Sequence, residues 1–146
     1  MSGTRQYLCL FYAAIALVAL VATWSQNLTY YIGDHPAADP LQYLLDLKAS
    51  AAARSFTVDI GFFLLAGTGL MVVEARKLGI KWVWLYVIFG FIIAISVTFP
   101  LFLIAREMRL AKTETVSSAV KLTPSDIAGL VVTTLVVLAA AGFILT

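Results

Sequence analysis

Four long apolar runs, separated by polar segments, dominate the pattern of this chain. They extend over residues 7–25, 55–76, 82–105 and 126–145. Each is close to the roughly 20 residues that an α-helix needs to cross the hydrocarbon core of a bilayer. The pattern therefore predicts an all-α integral membrane four-helix bundle, formed by a single transmembrane domain over residues 1–146.

Two polar segments carry helix-start signals. Asp39 followed by Pro40 has the residue types of an N-cap and a first helical position, and leucines at helical spacing follow them. This predicts a short amphipathic helix at the membrane interface between helices 1 and 2. Thr123, Pro124 and Asp126 form a second start signal, directly before the last apolar run.

The second and third runs are joined by a short cationic turn at residues 76–81, which contains Gly79. Such a turn predicts two helices packed as an antiparallel hairpin. Pro100 lies well inside the third run, where it lacks an N–H for the carbonyl of Ser96 and its ring crowds that carbonyl. A kink at Pro100 is therefore predicted.

Composition supports the membrane class and excludes other classes. The chain is 62% hydrophobic and 12% charged, whereas a soluble protein has roughly 25% charged residues. A net charge of +2 gives no reason to expect a nucleic-acid partner. One cysteine and one histidine exclude an internal disulfide and a His-based metal site within one chain, and no cofactor motif is present. Membrane lipids are the expected partners. Further candidate partners are a hydrophobic small molecule, other copies of this chain in a homo-oligomer, and the subunits of a larger membrane complex.

The distribution of Lys and Arg gives a divided prediction of orientation. Arg5 and the cationic turn at 76–81 favour two cytoplasmic termini, because cytoplasmic loops are enriched in Lys and Arg. If the third apolar run crosses the membrane, however, the cations after residue 105 fall on the other side. We expect both termini in the cytoplasm.

Several polar residues are predicted to gather at one end of the bundle. In a hairpin of the second and third helices about Leu78, Asp59 lies at the depth of residues 97–100, near the predicted kink, and Arg106 lies closer to the same surface. A cluster of this kind suits the polar head of an apolar molecule. The predicted ligand-binding residues are Asp59, Arg106, Arg54, Pro100, Trp24 and Asn27. The structural alternative is that Asp59 pairs with Arg54 or, preferably, with Arg106.

Glu74 is predicted to serve a structural role. It lies 15 residues after Asp59, so the two carboxylates are over 20 Å apart along the helix (at ~1.5 Å per residue) and cannot act as one acid–base dyad. Instead, Glu74 is expected to pair with a cation of the turn, such as Lys77 or Lys81, or with the indole N–H of Trp82.

Three groups of residues carry a family resemblance. They are Arg54-Ser55-Phe56-x-x-Asp59, Glu74-x-Arg76-Lys77 and Phe99-Pro100-Leu101-Phe102-Leu103-x-x-Arg106-Glu107. Over residues 7 to about 110 the chain resembles a bacterial family of small multi-pass membrane proteins catalogued as domain of unknown function 2834. The resemblance implies a protein of the bacterial inner membrane and gives weight to Asp59, Glu74, Pro100 and Arg106. It implies no reaction.

Three functional hypotheses remain. The first is a non-enzymatic membrane module that binds a lipid or isoprenoid-like ligand or stabilises a complex. The second is an integral-membrane isomerase or cyclase in which Asp59 or Glu107 is the catalytic acid. The third is a small transporter or channel subunit. The sequence favours the first, since it contains no phosphate-binding loop, nucleophile triad or metal cluster.

Overall fold

The computed structural model describes residues 3–34, 40–113 and 123–145, and all regular elements in these ranges are helical. The helices are α1 (Gly3–Leu28), α2 (Pro40–Asp46), α3 (Ala51–Leu78), α4 (Val83–Phe89), α5 (Ile95–Thr113) and α6 (Pro124–Leu145), with π-helical segments at Thr29–Asp34 and Gly90–Ala94. Four helical segments are long and apolar enough to cross a membrane: Gly3–Gly33, Ala51–Leu78, Val83–Lys112 and Pro124–Gly142. The predicted all-α fold with four long apolar helical segments is confirmed.

Local sequence signals explain where several helices begin and end. The backbone N–H of Thr123 donates to Asp126 Oδ2 (2.8 Å), and that of Asp126 donates to Thr123 Oγ1 (3.2 Å), so these residues cap each other at the helix start predicted for α6. Helix α2 begins at Pro40 as predicted, whereas Asp39 lies outside the described residues. At the end of α3, Gly79 takes a left-handed conformation (φ 63°) that glycine adopts without strain.

Helices α3 and α5 run in the same direction. Arg106 of α5 contacts Glu74 of α3, and the two are 32 residues apart in sequence. Phe99 packs beside Gly67 with the same offset, at 3.7 Å from the position that a Cβ would occupy. A constant offset between two helices is the mark of a parallel pair. The segment that connects them must therefore return along the bundle.

The third apolar segment makes this return by folding back on itself. The rings of Tyr86 and Phe102 lie 5.7 Å apart, although 16 residues of straight helix would separate them by about 24 Å. Gly90 and Thr98 also meet, since a Cβ on Gly90 would lie 3.0 Å from Thr98 Oγ1. Both pairs are symmetric about Ala94. The segment is thus a helical hairpin with α4 as its short arm and α5 as its long arm.

This fold-back corrects the expected hairpin, in which the whole third apolar run is antiparallel to the second. Of the two arms, only α4 runs antiparallel to α3, and α5 then returns parallel to it. The reversal lies at the π-helical segment Gly90–Ala94, where the helix widens, while Pro100 lies farther on, inside α5. A π-helical segment interrupts the regular i to i+4 bonding and is a recognised site of local deformation.

The core lies among α3, α4 and α5. Met71 and Phe102 are completely buried at its centre. The other buried members of the cluster are Leu64, Ala75, Val83, Val87 and Ile95. Helix α1 packs mainly against α5 and also reaches the π-helical segment. Because its first turns meet the end of α5, α1 is antiparallel to α5.

Replacing Gly90 with Val is expected to destabilise the fold by about 1–3 kcal/mol, because the new side chain must displace Thr98 and force the hairpin arms apart. Gly61→Val is the matched control, since a Cβ at Gly61 meets nothing within 4 Å. The free energy of unfolding in mixed detergent–SDS micelles measures both variants. Equal losses in the two variants would contradict the close approach of the arms.

Candidate functional site

Five charged side chains form a continuous network across three helices. Arg5 Nη1 donates to Glu107 Oε2 (2.9 Å), and Arg106 Nη1 donates to Glu107 Oε1 (2.9 Å). Arg106 Nε donates to Glu74 Oε2 (2.8 Å), and Lys77 Nζ donates to Glu74 Oε1 (3.2 Å). We call these residues the charge network. It links α1, α3 and α5 at the end of the bundle where α3 ends.

The charge network runs from the protein interior to its surface. The side chains of Arg5 and Glu107 are 3% and 5% exposed, whereas that of Lys77 is 66% exposed. A buried charge is costly unless it is paired and hydrogen-bonded. All four carboxylate oxygens of Glu74 and Glu107 accept a charge-assisted hydrogen bond, the stronger class of such bonds. Both carboxylates of the network are therefore paired with cations and fully hydrogen-bonded.

Helix geometry explains how neighbouring residues serve different partners. Arg106 and Glu107 are adjacent on α5, so their side chains point about 100° apart around the helix axis. Glu107 meets α1 through Arg5, and Arg106 meets α3 through Glu74. Glu74 and Lys77 are three residues apart on α3, a spacing at which side chains are neighbours. One helix, α5, thus connects the other two electrostatically.

Arg106 does not lie near Asp59, and the predicted pairing of these two residues is wrong. The prediction assumes that the third helix is antiparallel to the second as far as Arg106, whereas the parallel register of α3 and α5 places Arg106 at Glu74. Asp59 is exposed on α3, and within the described residues its carboxylate has no ion-pair partner. Fifteen residues of helix, over 20 Å at ~1.5 Å per residue, separate Asp59 from Glu74.

The other predicted ligand-binding residues lie toward the opposite end of the bundle or in its middle. The guanidinium of Arg54 donates to the Lys48 carbonyl (2.7 Å) at the start of α3. Trp24 and Asn27 belong to the last turns of α1. The indole nitrogen of Trp24 is buried and finds no acceptor in the described part of the chain. Within that part, no hydrogen bond joins Trp24, Asn27, Arg54 and Asp59 into one cluster, and Pro100 lies between the two ends.

Arg5 is the network residue that the sequence did not suggest. As a single cation before the first apolar run, it indicates only the orientation of that run. Its partner Glu107 is 102 residues away. The available signal was the pair Arg106-Glu107 at the end of an apolar run, which requires compensating charges from neighbouring helices. Which helices supply them depends on the packing.

A separate apolar groove lies between α1 and α6. Its volume is about 750 Å³. We call it the α1–α6 groove, and it is lined by Thr4, Tyr7, Leu8, Phe11, Ile127, Leu130, Val131, Thr134 and Leu135. The Thr134 hydroxyl already donates to the Leu130 carbonyl (2.7 Å). The groove therefore presents mainly hydrocarbon and aromatic surface.

Comparison with protein families gives one match. A family model described as "Protein of unknown function DUF2834" matches residues 11–108, which is more than half of the chain. The chain belongs to the DUF2834 family. No curated protein matches it, and no solved structure does.

The DUF2834 match includes some of the features described above and leaves others outside. It includes Glu74, Lys77, Arg106 and Glu107, together with the folded-back segment as far as Met108. Arg5 and helix α6 lie outside the matched residues. The fold-back thus belongs to the DUF2834 portion of the chain, whereas Phe11 is the one residue of the α1–α6 groove lining that does.

Proposed function

We propose that this protein is a non-enzymatic membrane module that holds a long, uncharged hydrocarbon chain of a lipid or isoprenoid-like molecule. The α1–α6 groove is the observation that carries this proposal. Its volume of about 750 Å³ is within the range of roughly 300–1,000 Å³ that is common for small-molecule sites. Its lining contains no charged side chain, which fits a hydrocarbon chain rather than a charged head.

The candidate acids support a module more than an enzyme. Both oxygens of Glu107 already accept hydrogen bonds from arginines, and its side chain is buried. A general acid must reach the atom that it protonates, and Glu107 points into the charge network instead. Asp59 does not line the α1–α6 groove. A transporter or channel subunit remains an untested alternative.

Filling the groove tests the proposal. Val131→Trp places a large ring in the groove, whereas Val132→Trp places the same ring at an exposed position that does not line it. Bound molecules are measured by native mass spectrometry and by solvent extraction of protein purified in mild detergent. We expect a retained hydrophobic molecule in the wild type and in Val132→Trp, and at least a tenfold loss in Val131→Trp.

The mass of the extracted molecule distinguishes the two sources of such a chain, a phospholipid or an isoprenoid. Circular dichroism and gel filtration establish that both variants are folded. Equal retention by the two variants, or no retained hydrophobic molecule in the wild type, would contradict a ligand in the groove.

A further inference from the structure

We infer that the third apolar segment, Val83–Lys112, is a re-entrant hairpin that enters and leaves the membrane at the same face. The first support is the length of its ascending arm. Helix α4 has seven residues and the π-helical segment five. Together they rise about 18 Å, which is too short for the roughly 30 Å hydrocarbon core. Apolar stretches of 10–14 residues are too short to span and occur in buried core helices and in re-entrant or interfacial segments.

The second support is the direction of the descending arm. Helix α5 runs parallel to α3 and ends beside the end of α3, as the contact between Arg106 and Glu74 shows. The ascending arm starts at that same end, directly after Gly79. Both ends of the hairpin therefore lie at one end of the bundle. A straight crossing would separate them by the thickness of the membrane.

The third support is the environment of the apex. Irregular backbone at membrane depth is tolerated where protein covers it. Gly90 and the residues that follow the apex, Ile95, Val97 and Thr98, are buried. Leu64 of α3 packs against Gly90, and α1 reaches the π-helical segment. The Thr98 hydroxyl also approaches the carbonyl of Ala94 (3.4 Å). The Gly90 side of the turn is thus covered by protein, whereas Phe91 and Ile92 of the π-helical segment present exposed apolar side chains.

A re-entrant hairpin resolves the divided prediction of orientation, because it places the cations after residue 105 on the same face as those of the turn at 76–81. One face of the bundle now carries seven of the Lys and Arg side chains in the described residues. They are Arg5, Arg76, Lys77, Lys81, Arg106, Arg109 and Lys112. The opposite end carries only Lys48 and Arg54. Because Lys and Arg accumulate on the cytoplasmic side, the seven-cation face is cytoplasmic.

Helix α6 then crosses once from this face. The first turns of α6 share the α1–α6 groove with the first turns of α1, so both helices begin at the cytoplasmic face. The start of α1 is cytoplasmic and the end of α6 is on the opposite side. This arrangement differs from the expected cytoplasmic placement of both termini.

Single cysteines in a Cys9→Ala background test the topology. Lys81→Cys lies in the turn before α4, Lys112→Cys lies at the end of α5, and Leu41→Cys lies in α2; all three positions are exposed. With a membrane-impermeant maleimide on intact cells, we expect labelling of Leu41→Cys alone. Lys81→Cys and Lys112→Cys should label only after permeabilisation. Labelling of Lys81 and Lys112 from opposite sides would overturn re-entry, and labelling of both on intact cells would overturn the orientation.

A distance measurement covers the case in which labelling perturbs the insertion. Spin labels at Lys81 and Lys112 of the purified, folded protein report on the hairpin directly. A straight helix places these residues about 46 Å apart, whereas the fold-back places both at the same end. We expect a distance below about 25 Å, since only a few helical residues separate their levels. A distance near 46 Å would overturn the proposal whatever the labelling shows.

Discussion

Replacing Glu107 with Gln is expected to lower the free energy of unfolding by roughly 3–5 kcal/mol. The reason is the burial of its partner: Arg5 is 3% exposed and donates to Glu107. Removing one member of a buried pair leaves the other charge in a poorly solvating environment. Arg106 keeps Glu74, so the loss falls mainly on the contact between α1 and α5. Unfolding in mixed detergent–SDS micelles measures the change.

Lys77→Gln is the matched control. Lys77 belongs to the same network, but its side chain is 66% exposed, and exposed ion pairs contribute only about 0–1 kcal/mol. If Glu107→Gln and Lys77→Gln weaken the protein equally, the Arg5–Glu107 pair does not hold α1 to α5.

A double replacement distinguishes the energy of the Arg5–Glu107 interaction from the effects of the two single substitutions. Arg5→Met with Glu107→Leu removes both charges and leaves apolar side chains, a change that is often neutral or stabilising for buried pairs. We expect it to recover most of the loss seen in Glu107→Gln. If the losses of Arg5→Met and Glu107→Leu simply add in the double variant, the two residues are not energetically coupled.

Replacing Phe102 with Ala is expected to cost about 3–5 kcal/mol, because the truncation leaves a cavity at the centre of the core. Phe102 is completely buried, and its ring meets the edge of Tyr86 from the other hairpin arm. The same micelle unfolding assay applies. The spin-label distance between Lys81 and Lys112 should also broaden, since the contact between the arms is lost.

Leu101→Ala is the control for this substitution. Leu101 precedes Phe102 on α5, but it is 43% exposed and faces away from the core. We expect a loss below about 1 kcal/mol, because lipid replaces the removed atoms and no internal cavity forms. A similar loss in Phe102→Ala and Leu101→Ala would show that the two arms do not pack around Phe102.

Much of the local structure follows from the sequence alone. The lengths of the four apolar runs predict four long helical segments, because a backbone in lipid must satisfy its hydrogen bonds within its own helix. The start of α6 at Thr123 to Asp126 is also predictable, since capping uses residues only three apart. The pair of Glu74 and Lys77 could be suggested for the same reason.

The arrangement of the site depended on tertiary structure. Arg5 and Glu107 are 102 residues apart, and nothing local to either residue indicates that α1 and α5 are neighbours. The fold-back at Gly90–Ala94 cannot be predicted from the sequence either, because both arms are apolar and together form one continuous apolar run that predicts a single helix. Hydropathy measures how well a residue is accommodated in lipid, and this is independent of the direction in which the chain runs. The direction of α5, and with it the partner of every network charge, is decided by packing between helices.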